Sequence, residues 1–210
     1  QAVGFYQKAG FFVTSGAYQD AGMPHHDKGC TAPTQELTHP FQSPQPMNLG
    51  QDSTTWPQAS PTDLCAMART LAWQTRRRFW LYDEFLDHER YDDKLLAERL
   101  SALARSSPRA DVRLLIHDDR LLVRRHHRLI RLLQRLPSRM QLRLVNTSYP
   151  CSDSPFILGD DQGVLYRHDF AGHQGFANLA APGRVRPLDE EFERMWQMAR
   201  PSLELRQLPL

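Results

Sequence analysis

The stretch from about Thr62 to Leu210 predicts an α/β fold, a largely parallel sheet closed by an antiparallel hairpin. Two patterns predict it. Short apolar runs at 78–82, 111–117 and 140–145 alternate with longer segments of 3.6-residue period at 94–105 and 119–136. Pro155 to Tyr166 then carries two extended runs on either side of Asp161-Gln162-Gly163, a hairpin signature.

Each element has a local reason. Thr62-Asp63 supplies a cap for a helix through Gln74, and Arg78-Phe79-Trp80-Leu81-Tyr82 reads as a strand. Lys94 to Arg105 places Leu95, Leu96, Leu100 and Leu103 inward. Val112-Arg113-Leu114-Leu115-Ile116 is the core of a buried strand, and Asp119 begins a long helix that Pro137 stops. Phe192, Met195, Trp196 and Ala199 give a last helix its apolar stripe before Pro201.

The region before Thr62 reads differently. Gln1 to about Asp27 predicts a short helix with Val3, Phe5 and Tyr6, capped at Gly10, then extended pieces at 11–14 and 17–19. Residues 28–61 hold six prolines (33, 40, 44, 46, 57 and 61) among Gln, Ser and Thr, and read as a linker that neither helix nor sheet extends through. Phe41, Met47 and Trp56 are its candidates for docking on a neighbour.

The net charge is +2, but unevenly spread. Residues 1–60 carry two lysines against four acids, so the remainder is +4, with Lys94 its sole lysine. Arginine's planar fork suits phosphate and carboxylate, yet +4 is modest for a nucleic-acid binder, and an arginine-favouring genome accounts for it equally well. Three widely spaced cysteines without zinc-ligand spacing fit a reducing cytoplasm. Phe11-Phe12-Val13 is too short for a leader and no run reaches the length of a membrane span. Opening on an apparent helix without methionine suggests a fragment.

On a continuous helix 119–136, Leu122, His126, Leu129, Leu133 and Leu136 share one face. Arg120, Arg124, Arg128, Arg131 and Arg135 fall on the opposite one, as a candidate phosphate- or acid-binding stripe or a plain solvated face. No aromatic lies among these arginines, so base stacking on that helix has no support. His126 reads as a core histidine and His127 has no assigned role. His117-Asp118-Asp119 follows a strand and has cation-binding residue types, although Asp119 serves equally as a helix cap. Asp160 and Asp161 read as turn residues with local hydrogen bonds, and His168, Asp169 and His173 are too loosely spaced for a metal. No metal site is expected.

Ala2-Val3-Gly4-Phe5-Tyr6-Gln7-Lys8-Ala9-Gly10-Phe11, followed by Gly16, Gly22, Pro24 and His25, resembles the C-terminal end of the GNAT acetyltransferase superfamily over about residues 1–27. The resemblance implies a GNAT remnant of an acetyl-coenzyme-A-dependent N-acetyltransferase, with a small-molecule or peptide amine as acceptor. It implies Tyr6 as the acid that protonates the departing thiolate, and His25 as a substrate contact. The Gly-rich pyrophosphate loop of that family is absent from the 210 residues, so this chain alone is expected to be inactive.

The order of elements in 62–210 resembles the phospholipase D-like α/β fold. Active members of that family carry His-x-Lys before the hairpin, with an Asp further on. Here Tyr149-Pro150-Cys151-Ser152-Asp153-Ser154-Pro155 has neither residue, which removes the nucleophile and its cation. The implied alternative to acyl transfer is a non-enzymatic module that recognises nucleic acid or another acidic or phosphate-rich partner.

Overall fold

The computed structural model describes residues 48–120, 122, 127–202 and 205, with the backbone alone of four short strands nearer the N-terminus. Those strands are β1 (Phe12–Val13), β2 (Tyr18–Asp20), β3 (Met23–His25) and β4 (Lys28–Gly29). They pair antiparallel, β1 with β4 and β2 with β3, within a first compact unit that ends at Ser43. The predicted N-terminal helix lies outside the described residues.

The second unit spans Pro44–Leu210 and is built on one eight-stranded mixed sheet. Its strands in chain order are β5 (Trp56–Gln58), β6 (Arg78–Asp83), β7 (Asp111–Ile116), β8 (Met140–Leu144), β9 (Phe156–Gly159), β10 (Gly163–Arg167), β11 (Gly175–Asn178) and β12 (Arg200–Pro201). Across the sheet they lie in the order β12-β8-β7-β6-β9-β10-β11-β5. Strands β6, β7 and β8 are parallel, and the other pairings are antiparallel.

Helix α1 (Pro61–Gln74) starts at Ser60, whose hydroxyl accepts from the Asp63 N–H at 3.1 Å, with Pro61 in the first turn. The cap therefore lies two residues before the one expected from Thr62. Its buried Leu64, Met67, Ala68 and Leu71 follow the helical period. Leu71 presses on the β9–β10 hairpin where Gly159 and Gly163 stand. A Cβ at either glycine would meet its side chain at 2.6 or 2.5 Å. The turn between them is set by Asp160 at φ 52°, a left-handed position that Asp tolerates. Its carboxylate does not bond locally as expected. It accepts the backbone N–H groups of Arg76, Arg77 and Arg78 at 3.1, 2.9 and 3.0 Å, and so pins the start of β6.

After β6 come α2 (His88–Tyr91) and α3 (Lys94–Ser106), the latter capped by Asp93 on the Leu96 N–H at 2.7 Å. Leu96, Leu100 and Leu103 are buried as predicted, but Leu95 is exposed because it stands about 100° round the helix from Leu96. The long helix expected over 119–136 is broken. Helix α4 runs only Arg128–Arg135, from a buried His127 in extended conformation. The His127 Nδ1 accepts the Leu129 N–H at 3.2 Å and Asp92 accepts the Arg128 N–H at 2.7 Å, so two of the orphan donors of a new N-terminus are satisfied there. His127 is thus a buried, hydrogen-bonded histidine, while His126, read as the core histidine, lies outside the described residues.

Two further differences concern proline-bearing segments. Trp56–Gln58, within the stretch read as a linker, is the edge strand β5, paired with β11. Pro57 lacks only an N–H, which an edge position can spare. Helix α5 (Pro182–Met198) begins ten residues before the predicted apolar stripe, with Pro182 in its first turn and Pro187 inside it. It covers the face of the sheet that presents Trp80, Tyr82, Leu115, Phe156, Leu158 and Val164. Phe192 stacks on Trp80 at 4.7 Å between centroids. Strand alternation sends Phe79 and Leu81 to the opposite face, and there α1 contacts β9 and β10, α3 contacts β7 and α4 contacts β8.

Candidate functional site

Two places concentrate charge. The first is the edge of the sheet formed by the carboxyl ends of β6, β7 and β10, where open α/β sheets commonly hold their sites. Asp83 ends β6 and Arg167 ends β10, and both are almost fully buried. The Nη2 of Arg167 donates to both Asp83 oxygens at 2.6 Å. Tyr91 donates its phenol to Asp83 at 2.5 Å and the Glu84 N–H adds a fourth bond at 2.7 Å. Burial pushes the Asp83 carboxyl upward, against the pull of Arg167, Tyr91 and the Glu84 N–H. The Nη1 of Arg167 holds the following loop through the carbonyls of Phe170 and Gly172 at 3.2 and 2.9 Å. The lone pairs of this carboxylate are occupied, so the cluster holds a loop and offers no nucleophile.

On the other face of the same edge, Tyr82 donates to the Ser152 carbonyl at 2.5 Å and lies 2.8 Å from the His117 Nε2. A phenol has one hydrogen, so the imidazole is the donor in the second bond and carries its lone pair on Nδ1. Burial holds His117 below the usual imidazole range, against the pull of Glu84 and Asp83. The triplet His117-Asp118-Asp119 does not converge. Asp118 pairs with Arg120 at 2.5 Å and accepts the Arg120 N–H at 2.9 Å, as the local cap. Asp119, expected as that cap, is buried and accepts from Ser202. Among the described residues no group of three His, Cys, Asp or Glu side chains could hold a metal ion.

The second place is a groove between α3 and α4, a cavity of about 290 Å³. Among the described residues, Lys94 and Arg105 line it from α3, Arg128, Arg131 and Arg135 from α4, and Glu98 is the one carboxylate. Arg128 is tied to Asp92 at 2.8 Å, Lys94 stands 3.9 Å from Glu98, and the Arg105 Nε donates to the Ser101 carbonyl at 3.2 Å. Arg131 and Arg135 are exposed and have no ion pair among the described residues. The result is a recess with five cations around one anion.

A family profile described as a domain of unknown function (DUF7931) matches residues 60–208. The chain belongs to that family. No curated protein matches it. Among solved structures, the DUF7931 domain is similar to Nuc from Salmonella typhimurium, a phospholipase D family member, with TM-score 0.50 and 12% identity over 71% of this chain and 97% of Nuc. NucT from Helicobacter pylori gives TM-score 0.52 and 8% identity over 71% of this chain and 99% of NucT. TrmBL2, an archaeal chromatin protein, gives TM-score 0.48 and 15% identity over 70% of this chain, which spans 54% of TrmBL2. At such identities the likeness is one of fold, and the fold is phospholipase D-like.

Within the DUF7931 domain the predicted site residues separate. Arg128, Arg131 and Arg135 meet in the groove, whereas Arg120 stands before the helix break with Asp118 as its partner. Tyr6 and Arg124 lie outside the described residues, as does the side chain of His25, whose backbone is in β3. Residues 149–155, where the resemblance places His-x-Lys, give a carbonyl to Tyr82 and a buried Pro155. Lys94 and Arg105 were not singled out as binding residues. Their 11-residue spacing on one predicted helix was the available signal, being three full turns. Asp83 and Arg167 each end an apolar strand with a charge, a signal that named neither as the other's partner. No helix among the described residues is long and apolar enough to cross a membrane.

Proposed function

We propose that the DUF7931 domain of this chain is a binding module for a phosphate-bearing polyanion, taken up in the α3–α4 groove. The observation that carries this reading is the five-to-one excess of cations there, with Arg131 and Arg135 lacking any ion pair among the described residues. Arginine forks match phosphate oxygens in pairs, and exposed guanidinium groups exchange water for phosphate at little desolvation cost. The sheet edge supports a non-catalytic role, since its buried carboxylate is consumed by Arg167 and Tyr91.

The test is anisotropy of labelled polyphosphate and oligonucleotides titrated with the chain from low to high salt. Affinity falls steeply with salt, and the slope drops by about one for each phosphate-contacting arginine removed. Absence of binding at low salt, or wild-type affinity in Arg131→Glu/Arg135→Glu, removes this reading.

For residues 1–27 we propose the end of a GNAT acetyltransferase domain, acting with acetyl coenzyme A within a longer protein. The support is the order Phe5-Tyr6, Gly10-Phe11, Gly22, Pro24 and His25. In such a protein the module would bring the acetyl donor to a phosphate-bearing target. Tyr6→Phe is expected to slow acetyl transfer by a protein that carries the coenzyme-A-binding half, since the leaving thiolate loses its acid. Unchanged turnover would leave Tyr6 as a packing residue.

A further inference from the structure

The groove leaves the exposed indole of Trp73, stacked only with Arg99 among the described residues, outside its lining. Trp73 is 57% exposed near the end of α1, two residues past the buried Leu71, and Leu95 on α3 is 47% exposed beside it. Aromatic side chains normally bury 150–250 Å² each, so an indole left in water is an uncommon arrangement. The guanidinium of Arg99 lies over one face of the ring, and a shallow cavity of about 280 Å³ runs between α1 and α3, lined by Arg69, Thr70, Trp73, Gln74, Leu95 and Arg99. Asp93 engages Arg69 at 3.6 Å, and Arg99 has no ion pair among the described residues.

Helix α3 therefore divides two recesses. Leu95 and Arg99 face the aromatic one, and Lys94, Ser101 and Arg105 face the basic one. A single helix, about 10–12 Å across, separates them. Their combination narrows the partner. A duplex presents phosphates but keeps its bases stacked within, and an acidic peptide has charge but no planar ring to lay on an indole. A single strand presents both, and every unstacked base has a face for an aromatic platform.

We propose that the surface formed by α1, α3 and α4 binds single-stranded nucleic acid, one base stacking on Trp73 while the backbone crosses α3 to the arginines of the groove. Arg99 and Arg69 flank the stacked base and meet the phosphates nearest it, and Arg105, Arg131 and Arg135 take the phosphates beyond. This assignment rests on the polyanion reading of the groove and adds the chemical class of the ligand.

The experiment compares a labelled homopyrimidine single strand with a duplex of equal length on the full chain. The variants are Trp73→Ala, Trp73→Phe and Arg131→Gln/Arg135→Gln. The single strand binds more tightly than the duplex and quenches tryptophan emission. Trp73→Ala weakens single-strand binding by about 5- to 150-fold, the range for one stacked base, leaves duplex binding unchanged and keeps the salt slope. Trp73→Phe recovers part of the loss. Thermal unfolding of Trp73→Ala matches wild type, as expected for an exposed side chain. Equal single-strand affinity in Trp73→Ala, or preference for the duplex, overturns the single-strand assignment. If the arginine variant still weakens binding in that case, the polyanion reading survives alone. Absence of binding by either ligand at low salt overturns both.

Discussion

Arg167 and Arg131 carry the same guanidinium in opposite circumstances. Arg167 is 2% exposed at the sheet edge, with a carboxylate and two carbonyls on its donors. Arg131 lines the α3–α4 groove, exposed and with no ion pair among the described residues. A third group lies between these extremes. Arg78, Arg113 and Arg143 fold over Trp80 and Trp196 at 4.3–5.2 Å, and the first two also pair with Asp189 and Glu193. The comparison teaches that an arginine-rich composition is not one property. The partner of each guanidinium decides whether it holds the fold or waits for a ligand.

The largest expected effect is at the sheet edge. Asp83→Ala leaves Arg167 charged, buried and unpaired, which costs about 3–5 kcal/mol in urea unfolding. Replacing both, as Asp83→Leu with Arg167→Met, recovers much of that loss because no lone charge remains. A loss below about 1 kcal/mol in the single variant would break the contrast with the groove.

Next is the frame of the groove. His127 caps α4 in its neutral form, and burial lowers its pKa from 6.5 to about 4, with Asp92 and Asp87 opposing and His88 and Arg128 reinforcing the shift. The unfolded chain therefore takes up this proton first as pH falls. The stabilisation is complete above about pH 6.5, is lost between there and about pH 4, and is constant below, amounting to about 3 kcal/mol. His127→Asn keeps an acceptor at the cap without a titrating ring and flattens that part of the profile. A variant profile as steep as the wild type would assign the slope to other groups.

A smaller effect belongs to the intermediate arginines. Arg113→Gln loses a 2.6 Å pair with Glu193 and the stack on two indoles, for about 1 kcal/mol by thermal unfolding. A change as large as that of Asp83→Ala would merge this group with the buried one.

The sequence made the strands legible where apolar runs were bounded by breakers. Arg78–Asp83 and Asp111–Ile116 match the expected runs to within a residue, and the hairpin turns at the expected place. The break before α4 was hidden, because 119–136 keeps a helical period through it and its cause, the approach of Asp92 to Arg128, is tertiary. Trp56–Gln58 was hidden by Pro57, whose tolerance depends on an edge position that only the assembled sheet defines. Half of the candidate groove was visible as a periodic stripe on α4. The other half, Lys94 and Arg105, joins it only through the packing of α3 on α4. The Asp83–Arg167 pair spans 84 positions, beyond the reach of any local pattern.

The most direct test uses Arg131→Gln/Arg135→Gln and two readouts on the same sample, unfolding free energy and salt-dependent affinity for a polyanion. Unfolding should stay within about 0.5 kcal/mol of wild type while affinity weakens and the salt slope falls by about two. A destabilised protein that binds as before would mean that these arginines serve the fold, contrary to the account given for the groove.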